Sequence, residues 1–325
     1  MSTAPPPGRP TTGTDAPVGG EAPATVVWAT CSEVPDGDED DLLALPAMAR
    51  AGLSVRFVSW DHPTAWQDPD VAAGRLCVVR STWDYTGRRE EFLAWARAVP
   101  TLANPAEVLA WNTDKVYLDE LAAAGVPVVP TRTVRPGEPT AAAADAVTGA
   151  LARAADVVVK PTVSAGSKDT RRHGDPATAT AHVGQLLADG RAVLVQPYLD
   201  GVDTQGETGV VVVDGEMSHA FRKGQILHPG TDATAGLYAV EDITATTATD
   251  EQLALVHRVT AFLAQRFPGS TPLMYARVDT VPGPDGRPLL LELELSEPSL
   301  WLVADPAAPA RWAQAHRRRL RTLPG

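Results

Sequence analysis

A hairpin pattern near the end of the chain constrains the fold more than any other feature. Two apolar segments, 274–280 and 288–295, are joined by the turn sequence Pro-Gly-Pro-Asp-Gly. Apolar, β-branched segments favour strands, and a glycine-containing turn between them predicts an antiparallel β-hairpin. With further strands expected at 208–213 and 215–222, the last third of the chain is predicted to form an antiparallel sheet, with a helix at 250–267.

The predicted hairpin carries charges that an apolar sheet does not normally hold. Side chains alternate along a strand, so Arg277 and Asp279 share one face, as do Glu292 and Glu294. If the two faces coincide, one guanidinium and three carboxylates converge. Carboxylates that crowd together need a cation, and oxygen ligands beside phosphate groups favour Mg²⁺. The alternative is a solvent-facing alternation in which both glutamates point into water.

The first third of the chain alternates between strand-like and helix-like segments. We predict strands at 26–30, 55–60 and 76–80, separated by helices at 42–51 and 88–98. This alternation indicates a parallel sheet with a ligand site at the carboxyl ends of its strands. The third strand runs into six polar and aromatic residues that could form a pocket: Arg80, Ser81, Thr82, Trp83, Asp84 and Tyr85. The alternative is that the aromatic residues only pack the rim of the sheet.

The middle of the chain has a lysine at the end of a buried strand. Lys160 closes the apolar run 157–161 and is followed by a loop of Ser, Gly and Thr residues at 162–170. An ammonium at a buried strand end needs an anion, and such a loop offers N–H groups and hydroxyls to phosphate oxygens. The loop is not a Walker A sequence. An ordinary strand-end lysine is the alternative. The other elements predicted here are helices at 113–124, 140–154 and 177–189, an extended segment at 126–131 and a strand at 192–199.

Composition excludes several classes of protein. The net charge of −12 and the absence of a dense basic stripe argue against nucleic-acid binding. Two cysteines cannot form a disulfide framework, so a reducing cytoplasm is the default location. No apolar run approaches the length of a membrane span. Residues 1–24 are rich in Pro, Gly, Thr and Ala without an apolar core, which predicts a disordered tail and not a signal peptide.

The ordered set of motifs along the chain resembles the ATP-grasp superfamily. The set runs from Lys115 through the Val-Val-Val-Lys-Pro strand, Gln196-Pro-Tyr-Leu, Gly206-Glu, Arg222-Lys, Arg277-x-Asp and Glu292-x-Glu. The resemblance implies an α/β (α+β grasp) fold: a Rossmann-like domain precedes a two-lobed grasp with an antiparallel C-terminal sheet. The implied division is a tail at 1–24, the Rossmann-like domain at 25–103, a small lobe or lid at 104–199, and a large lobe with the metal site at 200–325.

The resemblance also implies which residues bind the cofactor, ATP. Lys115 and Lys160 would hold the α- and β-phosphates. Glu207, with Asp203 as the alternative, would bind the ribose. The mobile loop closing over the triphosphate would contain Ser164, Gly166, Ser167 and Lys168, and the hinge beside the adenine would contain Gln196, Pro197, Tyr198 and Leu199.

The catalytic and metal residues follow from the same resemblance. Arg222 and Lys223 would reach the γ-phosphate, and Arg277 would stabilise the transferred phosphoryl group. Asp279, Glu292 and Glu294 would bind Mg²⁺. Many members of the superfamily have Glu-x-Asn at the second metal position. This chain has Glu294 there and a further acid at Glu297, so the residue that completes the metal site stays open.

A closer resemblance is to the O-ureido-D-serine cyclo-ligases of D-cycloserine biosynthesis. It is carried by the 79–85 segment, by Asn104-Pro and the 111–115 segment, by 219–224 and by 293–300. It implies an ATP- and Mg²⁺-dependent carboxylate–amine ligase that acts through an acyl phosphate on an amino acid derivative. Arg80 would pair with the substrate carboxylate and Glu297 with its ammonium. Neither a nucleic acid nor a membrane is expected as a partner, and a homodimer is left open.

Other functions remain to be weighed against this one. An intermolecular amino acid or peptide ligase of the ATP-grasp type fits the same motifs. A non-catalytic ATP-binding module could lose Arg277 or the acids, which are all present here. A doubly wound protein with an unrelated cofactor is disfavoured, because no Gly-x-Gly-x-x-Gly follows the first strand.

Overall fold

Three β-sheets organise the protein. A computed structural model describes residues 23–62, 64–67, 76–139, 141–225, 227 and 242–323. Most of the predicted tail, residues 1–22, lies outside these ranges, as does Thr140 at the start of a predicted helix. In the described residues, no helix is both long and apolar enough to span a membrane.

The N-terminal sheet is parallel, as the sequence predicts. Its strands are β1 (Ala24–Thr30), β2 (Leu53–Ser59) and β3 (Cys77–Val79), in the order β2-β1-β3. The helices are α1 (Glu39–Arg50) and α2 (Arg89–Ala98). Helix α1 begins three residues earlier than predicted, because the acidic run forms its first turn and Asp38 caps it through the Asp41 N–H at 2.8 Å. Acidic residues are stabilised at that end of a helix.

The segment 104–124 differs from the prediction of one helix at 113–124. It contains two short helices, α3 (Ala106–Asn112) and α4 (Tyr117–Ala123). Thr113 does not cap a new helix, since its hydroxyl donates to the Leu109 carbonyl and closes α3. The turn between the helices holds Lys115, whose backbone N–H donates to the Thr162 carbonyl at 2.8 Å.

The second sheet is antiparallel, in the order β4-β7-β5-β6. Its strands are β4 (Arg132–Val134), β5 (Val157–Pro161), β6 (Arg171–His173) and β7 (Val193–Pro197). Helices α5 (Ala141–Leu151) and α6 (Pro176–Ala188) pack against it with small and aliphatic side chains. The short strand β6 follows the 162–170 loop and was not predicted.

The third sheet contains the predicted hairpin, in the order β10-β9-β8-β11-β12. A short helix, α7 (Gly201–Gln205), precedes it, and its strands are β8 (Glu207–Val213), β9 (Glu216–Lys223), β10 (Ile243–Thr246), β11 (Tyr275–Pro282) and β12 (Pro288–Glu294). Two further helices, α8 (Asp250–Arg266) and α9 (Ala308–Thr322), cover opposite faces of this sheet. The adjacent β8 residues Val210 and Val211 point to opposite faces, so Val210 belongs to the hydrophobic cluster that contains α8 and Val211 to the one that contains α9. The α9 cluster includes Trp28 of β1, so α9 joins the N-terminal and third sheets.

Two buried asparagines tie the hairpin to the segment before the second sheet. The Asn104 amide donates to the Tyr275 and Leu295 carbonyls at 2.9 and 2.8 Å, and its oxygen accepts from the Met274 N–H at 3.0 Å. Asn112 similarly donates to the Leu293 carbonyl and accepts from the Leu295 N–H, both at 2.7 Å. These contacts hold the end of β12 that carries the charged residues.

We predict that Asn104→Asp lowers the free energy of unfolding by about 2–4 kcal/mol, because a carboxylate cannot donate to the two buried carbonyls. Urea denaturation at pH 7 measures the change. The matched control is Gln185→Glu, the same amide-to-carboxylate replacement at an exposed position of α6, with an expected change within about 0.5 kcal/mol. Equal effects of the two variants on the free energy of unfolding would contradict a stabilising role of the Asn104 hydrogen bonds.

Candidate active site

A cavity of about 1320 Å³, measured with its open mouth, lies between the two antiparallel sheets. Strands β5 and β7 line one side, and β9, β11 and β12 line the other; Trp83 and Tyr85 of the N-terminal region also contribute. With its open mouth included, the cavity is larger than a typical small-molecule site, which measures about 300–1,000 Å³. Charged side chains from several elements meet at its wall.

Two lysines from the second-sheet side meet one glutamate of the hairpin. Lys115 Nζ lies 2.9 Å from Glu292 Oε1, and Lys160 Nζ lies 3.6 Å from Glu292 Oε2. Lys115 also donates to the Ser164 carbonyl at 2.6 Å. Glu292 is therefore the anion that the buried strand end at Lys160 requires.

The pKa values follow from this pairing. Burial opposes ionisation of Glu292, but Lys115 and Lys160 outweigh it and lower its pKa to about 2. For Lys115, burial favours the neutral form, and Glu292 reverses this effect and raises the pKa. Lys160 keeps a lowered pKa because of burial and because a second ammonium, that of Lys115, lies nearby. The single carboxylate of Glu292 is shared by two ammonium groups, so it compensates the charge of Lys160 only in part.

A second group of charges lies along β9, β11 and β12. Arg277 is opposite Glu294 and Asp279 is opposite Glu292 in the register, so the two charged faces coincide as predicted. Arg277 makes three hydrogen bonds of 2.7–3.0 Å to Asp279 and also donates to Glu294. Lys223 Nζ lies 3.1 Å from Asp279 and 2.8 Å from Glu207. The solvent-facing alternative does not hold, because Glu292 and Glu294 line the cavity and are ion-paired there, with side chains only 24% and 27% exposed.

The three predicted metal ligands have the donor chemistry that Mg²⁺ requires. Burial raises the pKa of Glu294 to about 7, and the nearby Asp279 and Glu292 carboxylates add to the rise although Arg277 opposes it. Such crowding favours an added cation. In the described residues, however, no cluster of three His, Cys, Asp or Glu side chains is arranged to hold a metal. Lysine and arginine side chains occupy these carboxylates, so a metal would require some of the cations to move.

The predicted nucleotide-binding residues lie mostly around the same cavity. Those that line it are Ser164, Gly166, Ser167, Gln196, Pro197, Tyr198, Leu199 and Glu207. Asp203 is instead taken up by the Tyr198 hydroxyl and by Arg172, whose guanidinium stacks 3.6 Å from the centre of the Tyr198 ring. Glu207 lines the cavity and Asp203 does not, which favours Glu207 as the residue that faces a ligand. Lys168 does not line the cavity.

Glu297 also lines the cavity, as do Trp83 and Tyr85. The Glu297 Oε2 atom is buried and has no hydrogen-bond partner in the described part of the chain. The Tyr85 hydroxyl is hydrogen-bonded to the same carboxyl group, and Trp83 Nε1 donates to the Glu297 carbonyl at 3.0 Å. Burial, followed by the nearby Glu294 charge, raises the pKa of Glu297 to about 8. A buried carboxyl atom without a partner calls for a donor from a ligand.

Four of the six residues predicted to surround the amino acid lie outside the cavity wall. Arg80 is buried, with its Nε 2.6 Å from Asp41 and Nη2 3.4 Å from Asp40. Ser81 donates to Asp41, Thr82 is buried, and Asp84 accepts from Trp60 at 2.7 Å. The expected pairing of Arg80 with a substrate carboxylate does not fit this geometry, because acids of α1 already take its guanidinium. Tyr85 both lines the cavity and stacks on Phe92, so each interpretation of the aromatics is partly right.

Arg222 also departs from its predicted position. Adjacent residues of a strand point to opposite faces, and Lys223 faces the cavity, so Arg222 is on the other face and exposed. A direct contact of both residues with one phosphate group does not fit the strand. The alternation rule, applied to the pair, could have shown this from the sequence.

Several cavity residues were not identified from the sequence. They include Asn112, Val129, Val158, Val202, Gly224, Leu227, Val281, Leu291 and Leu293. Val158 could have been found, because it lies two residues before Lys160 and therefore on the same face of β5. The others carry no local signal, since only the packing of separate elements brings them to the wall.

Comparisons with known proteins show which family the chain belongs to. Residues 26–105 match the family model described as D-cycloserine synthetase DcsG, N-terminal domain. The chain is 37% identical over 284 residues to the cycloserine biosynthesis protein DcsG of Streptomyces lavendulae, which covers 85% of this chain and 92% of that protein. The crystal structure of D-cycloserine synthetase DcsG superimposes with a TM-score of 0.81 at 35% identity and covers 91% of this chain and 100% of that chain.

A more distant structure shares the fold alone. The RimK domain protein ATP-grasp from Sphaerobacter thermophilus superimposes with a TM-score of 0.61 at 19% identity, covering 90% of this chain and 98% of that chain. Together with the observed sheets, these matches confirm the prediction of an ATP-grasp fold that combines helices with antiparallel sheets.

We predict that the environment of Glu297 makes the protein less stable as the pH rises. Its pKa of about 8 lies above the ordinary value of 4.5, so the folded chain binds this proton more tightly than the unfolded chain. Relative to Glu297→Gln, the free energy of unfolding of the wild type should fall by on the order of 2 kcal/mol between about pH 4.5 and pH 8.

Denaturation at a series of pH values measures this difference, and the exposed Glu251→Gln variant is the matched control. Parallel curves for the wild type and Glu297→Gln would show that the Glu297 carboxyl titrates normally.

Proposed function

Because the chain belongs to the DcsG family of ATP-grasp ligases, we propose that it closes the ring of D-cycloserine from O-ureido-D-serine, using ATP and Mg²⁺. As a carboxylate–amine ligase, it would activate the substrate carboxylate by transfer of the terminal phosphoryl group of ATP. The ureido nitrogen would then attack the acyl phosphate and displace phosphate, which closes the ring. After ring closure, water would cleave the bond between the ring nitrogen and the carbamoyl carbon, leaving the ring N–H and releasing carbamate, which breaks down to CO2 and NH3. The reaction requires no protein nucleophile. It requires cations around the phosphates and exclusion of water.

The observation that carries this proposal is the array of cations at the cavity wall. Lys115, Lys160, Lys223 and Arg277 come from four different elements of the chain, and all of them pair with carboxylates at the cavity wall. The phosphates of ATP would take the lysines away from Glu292. That exchange would free Glu292, with Asp279 and Glu294, to hold Mg²⁺, whose positive charge would stabilise the transferred phosphoryl group.

The remaining cofactor contacts are assigned by the cavity lining. We assign the loop of Ser164, Gly166 and Ser167 to the triphosphate, with Lys168 reaching it only when the loop closes. The hinge 196–199 would contact the adenine and Glu207 the ribose. The lobes would be those expected from the sequence: a Rossmann-like domain at 25–103, a lid at 104–199 and a large lobe at 200–325.

The amino acid end of the cavity would be formed by Trp83, Tyr85 and Glu297. Glu297 Oε2 is the buried acceptor without a partner, and an ammonium or ureido N–H of the substrate would supply the missing donor. Arg277 lines the same cavity and is ion-paired with Glu294, and it would stabilise the negative charge that develops during phosphoryl transfer.

The test is turnover of O-ureido-D-serine with Mg·ATP. We expect one ADP and one phosphate per molecule of ring-closed product identified by mass spectrometry. A linear product with an added amine would favour intermolecular ligation. Nucleotide binding without turnover on a broad panel of carboxylates and amines would overturn the ligase assignment.

We predict that Glu292→Gln and Asp279→Asn each reduce turnover by on the order of 100-fold or more, because each removes charge that faces the metal and phosphates. Asp285→Asn, in the exposed turn of the same hairpin, is the matched control and should stay within about twofold. Steady-state phosphate release measures the effect.

Thermal unfolding is recorded in parallel, because Asp279→Asn leaves the buried Arg277 and Lys223 short of countercharge. Folded Glu292→Gln enzyme with wild-type turnover would exclude the metal assignment.

A further inference from the structure

We propose that Asp40 and Arg80 are positioning residues that hold Glu297 in place for the amino acid substrate. They touch neither the cavity nor a ligand, and they act through the backbone of residues 297–302, called the 297–302 segment below. This inference rests on the proposed role of Glu297 at the amino acid end of the cavity.

The 297–302 segment has no regular secondary structure before its last residue, and other parts of the chain hold its backbone. Its carbonyls at 297, 298, 299 and 300 accept from Trp83, Arg80, Arg277 and His219 at 2.7–3.0 Å. Side chains therefore replace the missing backbone partners along four consecutive residues. Two of these donors, Trp83 and Arg80, belong to the N-terminal region.

Asp40 provides the remaining contacts to the segment. Its carboxylate accepts from the Leu300 N–H at 2.8 Å and from the Leu302 N–H at 2.6 Å. Asp40 lies in the first turn of α1 and is buried, and Arg80 Nη2 contacts the same carboxylate at 3.4 Å. Arg80 also reaches the Pro298 carbonyl at 3.0 Å. The Asp40–Arg80 ion pair of the N-terminal region is thus hydrogen-bonded to three backbone groups of the segment.

The conformation of the segment depends on such contacts. Trp301 has φ 50°, in the left-handed region that a bulky L-residue rarely adopts. Without the hydrogen bonds on either side, this backbone would relax towards a more favourable conformation. A change at its middle would move Glu297, whose carbonyl accepts a hydrogen bond from Trp83.

The position of Glu297 matters because its buried Oε2 is the atom left for a ligand donor. A hydrogen bond to a charged donor weakens steeply when its geometry is lost. Loosening the segment should therefore weaken binding of the amino acid more than binding of ATP, whose proposed contacts are made by residues outside the segment.

The experiment compares Asp40→Asn with Asp41→Asn. Asp41 is a matched control because it belongs to the same buried cluster, yet its carboxylate is hydrogen-bonded to Arg80, Ser81 and the Asp38 N–H and not to the segment in the described chain. We expect Asp40→Asn to raise KM for O-ureido-D-serine by roughly tenfold and to leave KM for ATP within about twofold. Asp41→Asn should leave both within about twofold, even where it lowers Tm equally.

A double-mutant cycle with Glu297→Gln tests whether Asp40 acts through Glu297. In the Glu297→Gln background, Asp40→Asn should change KM for the amino acid by less than about twofold, because the group that it positions is already altered. Strict additivity of the two effects would overturn the positioning role. If Asp40→Asn does not fold, Arg80→Lys replaces it, since lysine keeps the charge but cannot bridge Asp40 and Pro298 together.

A measurement that does not depend on turnover distinguishes failure of the positioning role from failure of the proposed function. Hydrogen–deuterium exchange of a peptide covering 297–304 should quicken in Asp40→Asn and not in Asp41→Asn. Unchanged exchange, or an unchanged KM in an active Asp40→Asn enzyme, overturns the positioning role alone. A wild-type enzyme that does not use any amino acid derivative overturns the proposed function itself.

Discussion

The cross-strand contact between Arg277, Asp279 and Glu294 is the interaction on which the rest of the site depends. Antiparallel pairing of β11 with β12 brings these groups together, and the Arg277 guanidinium then reaches the Ser299 carbonyl as well. Buried charges persist only when each has its partners. The register of one hairpin therefore places Asp279, the carboxylate that Lys223 contacts, and through Arg277 it connects this charged group with the backbone at Ser299.

This arrangement explains why a charged cavity is stable without a ligand. Lys115 and Lys160 neutralise Glu292, while Arg277 and Lys223 neutralise Asp279. Phosphates bring negative charge and Mg²⁺ brings positive charge, so binding both together preserves the balance that binding either alone would disturb. The carboxylates would then bind a metal ion in place of the lysine ammonium groups. This exchange requires the lysine side chains to move, but not the strands of the sheet.

Sequence reasoning succeeded where the chemistry is local to one strand or one turn. The alternation rule predicted that Arg277 shares a face with Asp279 and that Glu292 shares one with Glu294, and the turn composition predicted the hairpin. The register observed between β11 and β12 is what makes the two faces coincide. The same reasoning failed for Arg80, whose charge pairs with acids that lie about forty residues earlier in the chain. It also missed the break at Thr113, because the hydroxyl of a threonine can close one helix as readily as it caps the next.

The sequence by itself determined the antiparallel hairpin, the parallel N-terminal sheet and the set of charged residues that a phosphate site needs. These follow from side-chain periodicity and turn chemistry, which act over a few residues. Only the tertiary structure decided which charged side chains face the cavity and which form ion pairs away from it. The packing of α1 against the N-terminal sheet gives Arg80 to Asp40 and Asp41, and the approach of the 297–302 segment leaves Glu297 with an unpartnered oxygen. Such long-range partners depend on how separate elements pack, and no local pattern in the sequence encodes them.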